Sequence, residues 1–134
     1  MSGKMNLGYY FKDGKIYVWE ETFAVLKSKK AYPNAFANII DKNETTVIIE
    51  QPKYDMDDVL EIESDWKIIT FDMVSPFGLT GFLSRVSDIL ADEGISILAV
   101  SSYSTDHILV KEKDLLKTIN QLKKLGFMAE EKKD

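Results

Sequence analysis

The order of periodicities between residues 65 and 130 narrows the folds open to this chain more than any other feature. "WKIITFDMV" (66–74) is a β-branched and aromatic apolar run, and "SPF" closes it with a proline suited to a strand exit. "GLTGFLSRVSDILADEG" then places Leu79, Phe82, Leu83, Val86, Ile89 and Leu90 at three- and four-residue spacing. It ends on Gly94, a residue at ease in the left-handed conformation that stops a helix. "ISILAVSS" predicts a buried strand, "YSTD" a polar connection and "HILVKE" the returning strand of a hairpin. "KDLLKTINQLKKLG" predicts a second helix with Leu115, Leu116, Ile119, Leu122 and Leu125 on one face. Lys123 and Lys124 sit near its negative end, and Gly126 stops it. "FMAEE" supplies a last short edge strand, after which "KKD" frays.

The order is β-α-β-β-α-β, the ferredoxin-like plan of an α+β fold, with both helices on one face of an antiparallel sheet. The first 64 residues are less regular. "GYYFKDGKIYVWE" reads as a hairpin turning at Asp13 and Gly14, "ETFAVLKSK" as a strand, "YPNAFANII" as a short helix starting near Pro33, and "ETTVIIEQP" as a strand closed by Pro52. Two strands, a helix and a strand make residues 1–64 a shortened relative of residues 65–134, by element order and without an alignable repeat. The expected organisation is therefore a degenerate N-terminal unit (1–64) packed with a complete one (65–134).

Composition excludes several classes. No cysteine is present, which removes disulfides, thiolate metal sites and cysteine nucleophiles. The net charge is −5 and Arg85 is the one arginine, so the basic stripe of a nucleic-acid binder is missing and no nucleic-acid partner is expected. The longest apolar runs fall far short of the roughly 20 residues that span a bilayer, so no membrane partner is expected either. The N-terminus lacks the apolar core of a secretory signal, and the expected location is the cytoplasm.

The single histidine, His107, follows Asp106 in "SSYSTDHILVKE" (101–112), which raises a Ser/His/Asp arrangement. Neighbours in a strand point to opposite faces, so Asp106 is badly placed to steady the imidazole, and His107 reads as a satisfied strand residue. Asp106, with Ser101, Ser102, Tyr103 and Thr105 around it, suits a ligand's ammonium or guanidinium group, or equally an Asx-type turn. The acidic run 55–65 departs from the calcium-loop template, with Leu60 at the glycine position and Trp66 at the last ligand position, and reads as a solvated connection. "SPFGLTGFL" (75–83) joins a strand to a helix start, where free N–H groups favour an anion such as a carboxylate. Its glycines suit close packing just as well, and it lacks the lysine and spacing of a phosphate-binding loop. An anion-seeking helix start and a cation-seeking carboxylate together would fit the two ends of an amino acid.

With these residues in view, 71–127 resembles the ACT domain. The likeness is to the variant shared by small bacterial and archaeal tandem-ACT proteins and the animal CASTOR-type arginine sensors. The marks are the glycine-bearing strand-to-helix loop, the helix ending before "GIS", and the hairpin from Ser101 to Val110. The resemblance implies a regulatory binding module without catalysis, with an amino-acid ligand at an ACT–ACT interface. By position its pocket would use Ser75, Phe77, Gly78, Leu79 and Thr80 from the loop and Ser102, Tyr103 and Asp106 from the hairpin. Asp106 matches the acid that holds the arginine side chain in the sensors. The chain departs from the commonest signature, an acid followed by Pro-Gly: Ser75 replaces the acid and Phe77 separates Pro76 from Gly78.

Two readings follow. In the first the chain is a cytoplasmic homodimer that binds an amino acid or similar zwitterion, needs no cofactor, metal or catalytic residue, and acts on a regulated protein partner or on its own assembly. In the second it is a structural or protein-interaction module with no small ligand, its pocket filled by Phe77 and Tyr103. An enzyme is the third and weakest reading, because no second acid or base accompanies His107.

Overall fold

The computed structural model describes residues 14–73 and 78–130. By contacts the chain divides into two units: residues up to Trp19 belong with Ile68 onward, and Glu20–Lys67 forms the other.

The larger unit contains β1 (Lys15–Val18), the end of β5 (Val59–Asp72), α1 (Gly78–Asp92), β6 (Leu98–Ser101), β7 (Asp106–Lys111), α2 (Leu115–Lys124) and β8 (Met128–Glu130). Its strand order is β6-β7-β5-β1-β8. The expected β-α-β-β-α-β series is present from β5 onward. β1 lies between β5 and β8, antiparallel to the former and parallel to the latter. Both edges of β1 are thus engaged; of the expected hairpin across Asp13 and Gly14, the first strand and Asp13 lie outside the described residues.

Alternation along the strands defines the core. Ile16, Ile69, Phe71, Ile108 and Val110 share one face with Val86 and Leu90 of α1 and Leu122 of α2, so both helices cover the same side of the sheet. Phe71 and Phe127 meet edge to face at 5.2 Å. Each such fully buried side chain contributes about 1.5–3 kcal/mol of transfer free energy. α2 corrects one detail of its predicted face. Leu116 is 75% exposed, because its neighbour Leu115 takes the inward position and the spacing continues through Thr118, Ile119 and Leu122.

The helices end in the same way. After α1, Gly94 (φ 72°) donates to the Ala91 carbonyl at 2.9 Å and Ile95 to that of Leu90 at 3.0 Å. After α2, Gly126 (φ 105°) donates to Lys123 at 3.0 Å and Phe127 to Leu122 at 3.2 Å. These are Schellman closures, in which a left-handed residue brings the next apolar side chain back onto the last turn. Ile95 and Phe127 enter the core by that route.

The smaller unit has β2 (Phe23–Ser28), β3 (Ala37–Ile40), β4 (Thr45–Glu50) and the beginning of β5, in the order β3-β4-β2-β5. Ala24, Leu26, Val47 and Ile49 form its core, with Tyr32, Ala35, Tyr54 and Val59 against them from the connections. The helix expected over "YPNAFANII" is not formed. Asn38 bonds the backbone of Tyr32 twice, accepting from its N–H at 2.9 Å and donating to its carbonyl at 2.8 Å, which fixes a turn around Pro33. "ANII" then pairs with β4, where β-branched residues are at ease. The acidic stretch is not a loose connection either. Asp55 caps a single 3-10 turn, Met56–Asp58, and residues from Val59 onward are strand, because Leu26, Lys27 and Ser28 of β2 pair with them.

Candidate functional site

Register brings the hairpin residues together. β6 and β7 pair Ser101 with Asp106 and Val100 with His107. Asp106 therefore shares its face with Ile108 and Val110, the face covered by the helices, whereas His107 lies on the other face with Leu109. The Asp106 carboxylate accepts from Ser101 Oγ at 2.7 Å. The turn between the strands is closed by the Ser102 N–H and hydroxyl, both donating to the Thr105 carbonyl at 2.8 and 3.0 Å. Tyr103 at its tip is fully exposed.

His107 is a satisfied strand residue, 8% exposed. Its Nδ1 lies 2.8 Å from Thr70 Oγ1, which also accepts from Trp19 Nε1 at 2.7 Å; its Nε2 lies 3.4 Å from Ser102 Oγ. Burial lowers its pKa, with the Asp106 charge opposing that effect. The Thr70 contact also locates the end of β5. Thr70 is two residues before the strand's last residue and His107 is the second of β7, so β5 ends, and the chain leaves for α1, at the end of the sheet where β6 hands over to β7. The first turn of α1 and Asp106 thus belong to one end and one face of this unit.

A family model described as the ACT domain matches residues 61–124, from within β5 to the end of α2. This segment of the chain is an ACT domain. No curated protein sequence matches the chain significantly. Among solved structures, the protein Atu0741 from Agrobacterium tumefaciens is similar over 91% of this chain and 96% of its own, at 21% identity and a TM-score of 0.76. A Vibrio cholerae protein of unknown function, VC0802, described as a possible transport protein, is similar over 92% and 98%, at 18% identity and a TM-score of 0.72. The aspartate kinase of Clostridium acetobutylicum, described as an allosteric enzyme, is similar over 82% of this chain and 34% of its own, at 12% identity and a TM-score of 0.62. At these identities the likeness is one of fold.

Within the ACT domain, Ser102, Tyr103 and Asp106 fall on one hairpin, as expected. Gly78, Leu79 and Thr80 form the first turn of α1, described here by its backbone, and Ser75 and Phe77 lie outside the described residues. Local sequence did not reveal Trp19 and Thr70, whose hydrogen bonds span 51 and 37 residues of chain. A shallow groove bounded by Lys27, Glu44, Glu61 and Glu63 lies in the smaller unit, where Lys27 and Glu61 pair at 3.8 Å, and none of the expected site residues lines it. Among the described residues no group of three or more His, Cys, Asp or Glu is placed to hold a metal, and no helix is long and apolar enough to cross a membrane.

Proposed function

We propose that the chain is a non-catalytic regulatory module of the cytoplasm, a homodimer that binds an amino acid or similar zwitterion at an ACT–ACT interface. The observation that carries this reading is the placement of Asp106. Its carboxylate lies on the helix-covered face at the sheet end where α1 begins, so an acceptor for a cation and a helix start suited to an anion sit at one end of one unit. A carboxylate with one described hydrogen bond keeps acceptor capacity for an ammonium or guanidinium group. The ligand's carboxylate would be met by backbone N–H groups around Gly78, Leu79 and Thr80, with Ser75 and Phe77 before them and Ser102 and Tyr103 across the site. Response would follow from different ligand affinities in two states of the assembly or of a regulated protein partner. Tyr103 supports the reading from another side: its ring is fully exposed and fills no pocket, as the rival structural-module reading would have it do.

Isothermal calorimetry of the full chain against the twenty amino acids tests the proposal. One or a few are expected to give heat, with affinity at least about tenfold lower in Asp106→Ala, the loss of one charge-assisted contact. Absence of heat and of any thermal shift with all twenty leaves the structural or protein-interaction module as the function. Sedimentation with and without the binding amino acid reads the homodimer directly.

A further inference from the structure

The hydrogen bonds around His107 form a chain whose two ends have fixed directions. An indole N–H only donates and a backbone carbonyl only accepts, and these are the two ends: Trp19 Nε1 to Thr70 Oγ1 at 2.7 Å, and Ser102 Oγ to the Thr105 carbonyl at 3.0 Å. Each hydroxyl carries one proton. Thr70, accepting from Trp19, has one proton of its own to give, and His107 Nδ1 at 2.8 Å is placed to receive it. Ser102, whose proton goes to Thr105, keeps lone pairs for His107 Nε2 at 3.4 Å. All four joints are satisfied together when the imidazole is neutral and carries its proton on Nε2.

We propose that His107 is a positioning residue whose neutral Nε2–H form closes this chain and holds the turn from Ser102 to Thr105 in the shape that presents Asp106. The consequence for Asp106 rests on the ligand reading above; the role in the turn does not. A second proton on the ring makes Nδ1 a donor, so Thr70 Oγ1 has to accept from the ring as well as from Trp19 and its own buried proton loses the ring as acceptor, which weakens that joint. Acid therefore loosens the turn and, through it, the grip on ligand. The lowered pKa of His107 agrees with a site built for the neutral ring. Within this unit the charged or titratable groups nearest in sequence and register are Asp106 beside it on β7, Asp72 at the end of β5, and Lys15 and Tyr17 of β1, paired with Asp72 and Thr70. Of these, Asp106 acts against the shift.

Three measurements on the full chain test this. Nitrogen-15 NMR of the single imidazole at pH 7.5 is expected to show the Nε2–H tautomer, and an Nδ1–H ring overturns the proposal. Amide exchange of residues 102–106 is expected to quicken on the order of tenfold in Thr70→Val, a substitution of similar shape that deletes the central hydroxyl. Unchanged exchange, with the variant as cooperatively folded as the parent, overturns it. Affinity for whichever amino acid binds is expected to fall several-fold between pH 7.5 and a pH at which the same NMR shows the ring protonated, and to fall less in Thr70→Val. If no amino acid binds while tautomer and exchange behave as stated, the ligand reading fails and the positioning role stands. If one binds with the same affinity to the neutral and the protonated ring, the link from His107 to Asp106 is wrong.

Discussion

At the scale of single residues, the pair Asp106 and His107 separates into two roles because a strand turns neighbours to opposite faces. Asp106 is held by a hydroxyl across the hairpin, and His107 by a hydroxyl from the next strand. Burial lowers the His107 pKa, so below the ordinary value of about 6.5 the unfolded chain takes up a proton that the folded chain refuses. Stability is therefore expected to fall as pH drops from about 6.5 toward the lowered folded-state value, and to be level between about 6.5 and 8 on this group's account. Since the chain has one histidine, urea unfolding between pH 5.5 and 7.5 reads this group, and His107→Gln should flatten the slope. Trp19→Phe keeps an aromatic side chain but trims the indole and its N–H donor to Thr70; a loss of at least about 0.5–1.5 kcal/mol is expected in the same assay.

At the scale of elements, the helices of the ACT domain were legible because each combines an apolar stripe with a closing glycine. Gly94 has positive φ and nothing within 4 Å of where a Cβ would lie, so Gly94→Ala tests backbone strain alone and should cost about 1–2 kcal/mol in urea unfolding. Leu122→Ala removes a fully buried core side chain and leaves the backbone closure of α2 in place, and a loss of about 2–5 kcal/mol is expected. The false helix over "YPNAFANII" had the apolar content of a helix start after Pro33. The deciding contacts were a side-chain grip from Asn38 to Tyr32 and a partner strand whose paired residues lie five to eleven residues on, neither visible in local periodicity.

At the scale of the whole molecule, the pairing of β1 ties the start of the described chain to its end. Ile16 is fully buried opposite Phe71, and β8 has β1 as its described partner. The proposed division into 1–64 and 65–134 meets its test here. A fragment of residues 65–134, lacking β1, is expected to lose cooperative unfolding and near-ultraviolet circular dichroism, whereas full retention of both would make it an independent domain.

The β-α-β-β-α-β order, both helix ends and the opposite faces of Asp106 and His107 were determined by sequence alone, because local periodicity, glycine closure and strand alternation act over a few residues. Tertiary structure decided what depends on distant partners: that β1 enters between β5 and β8, that "YPNAFANII" becomes turn and strand, and that Trp19 and Thr70 reach His107. Strand order and hydrogen-bond chains of this kind are set by which buried polar groups and apolar faces find each other across tens of residues, and no local pattern records that choice.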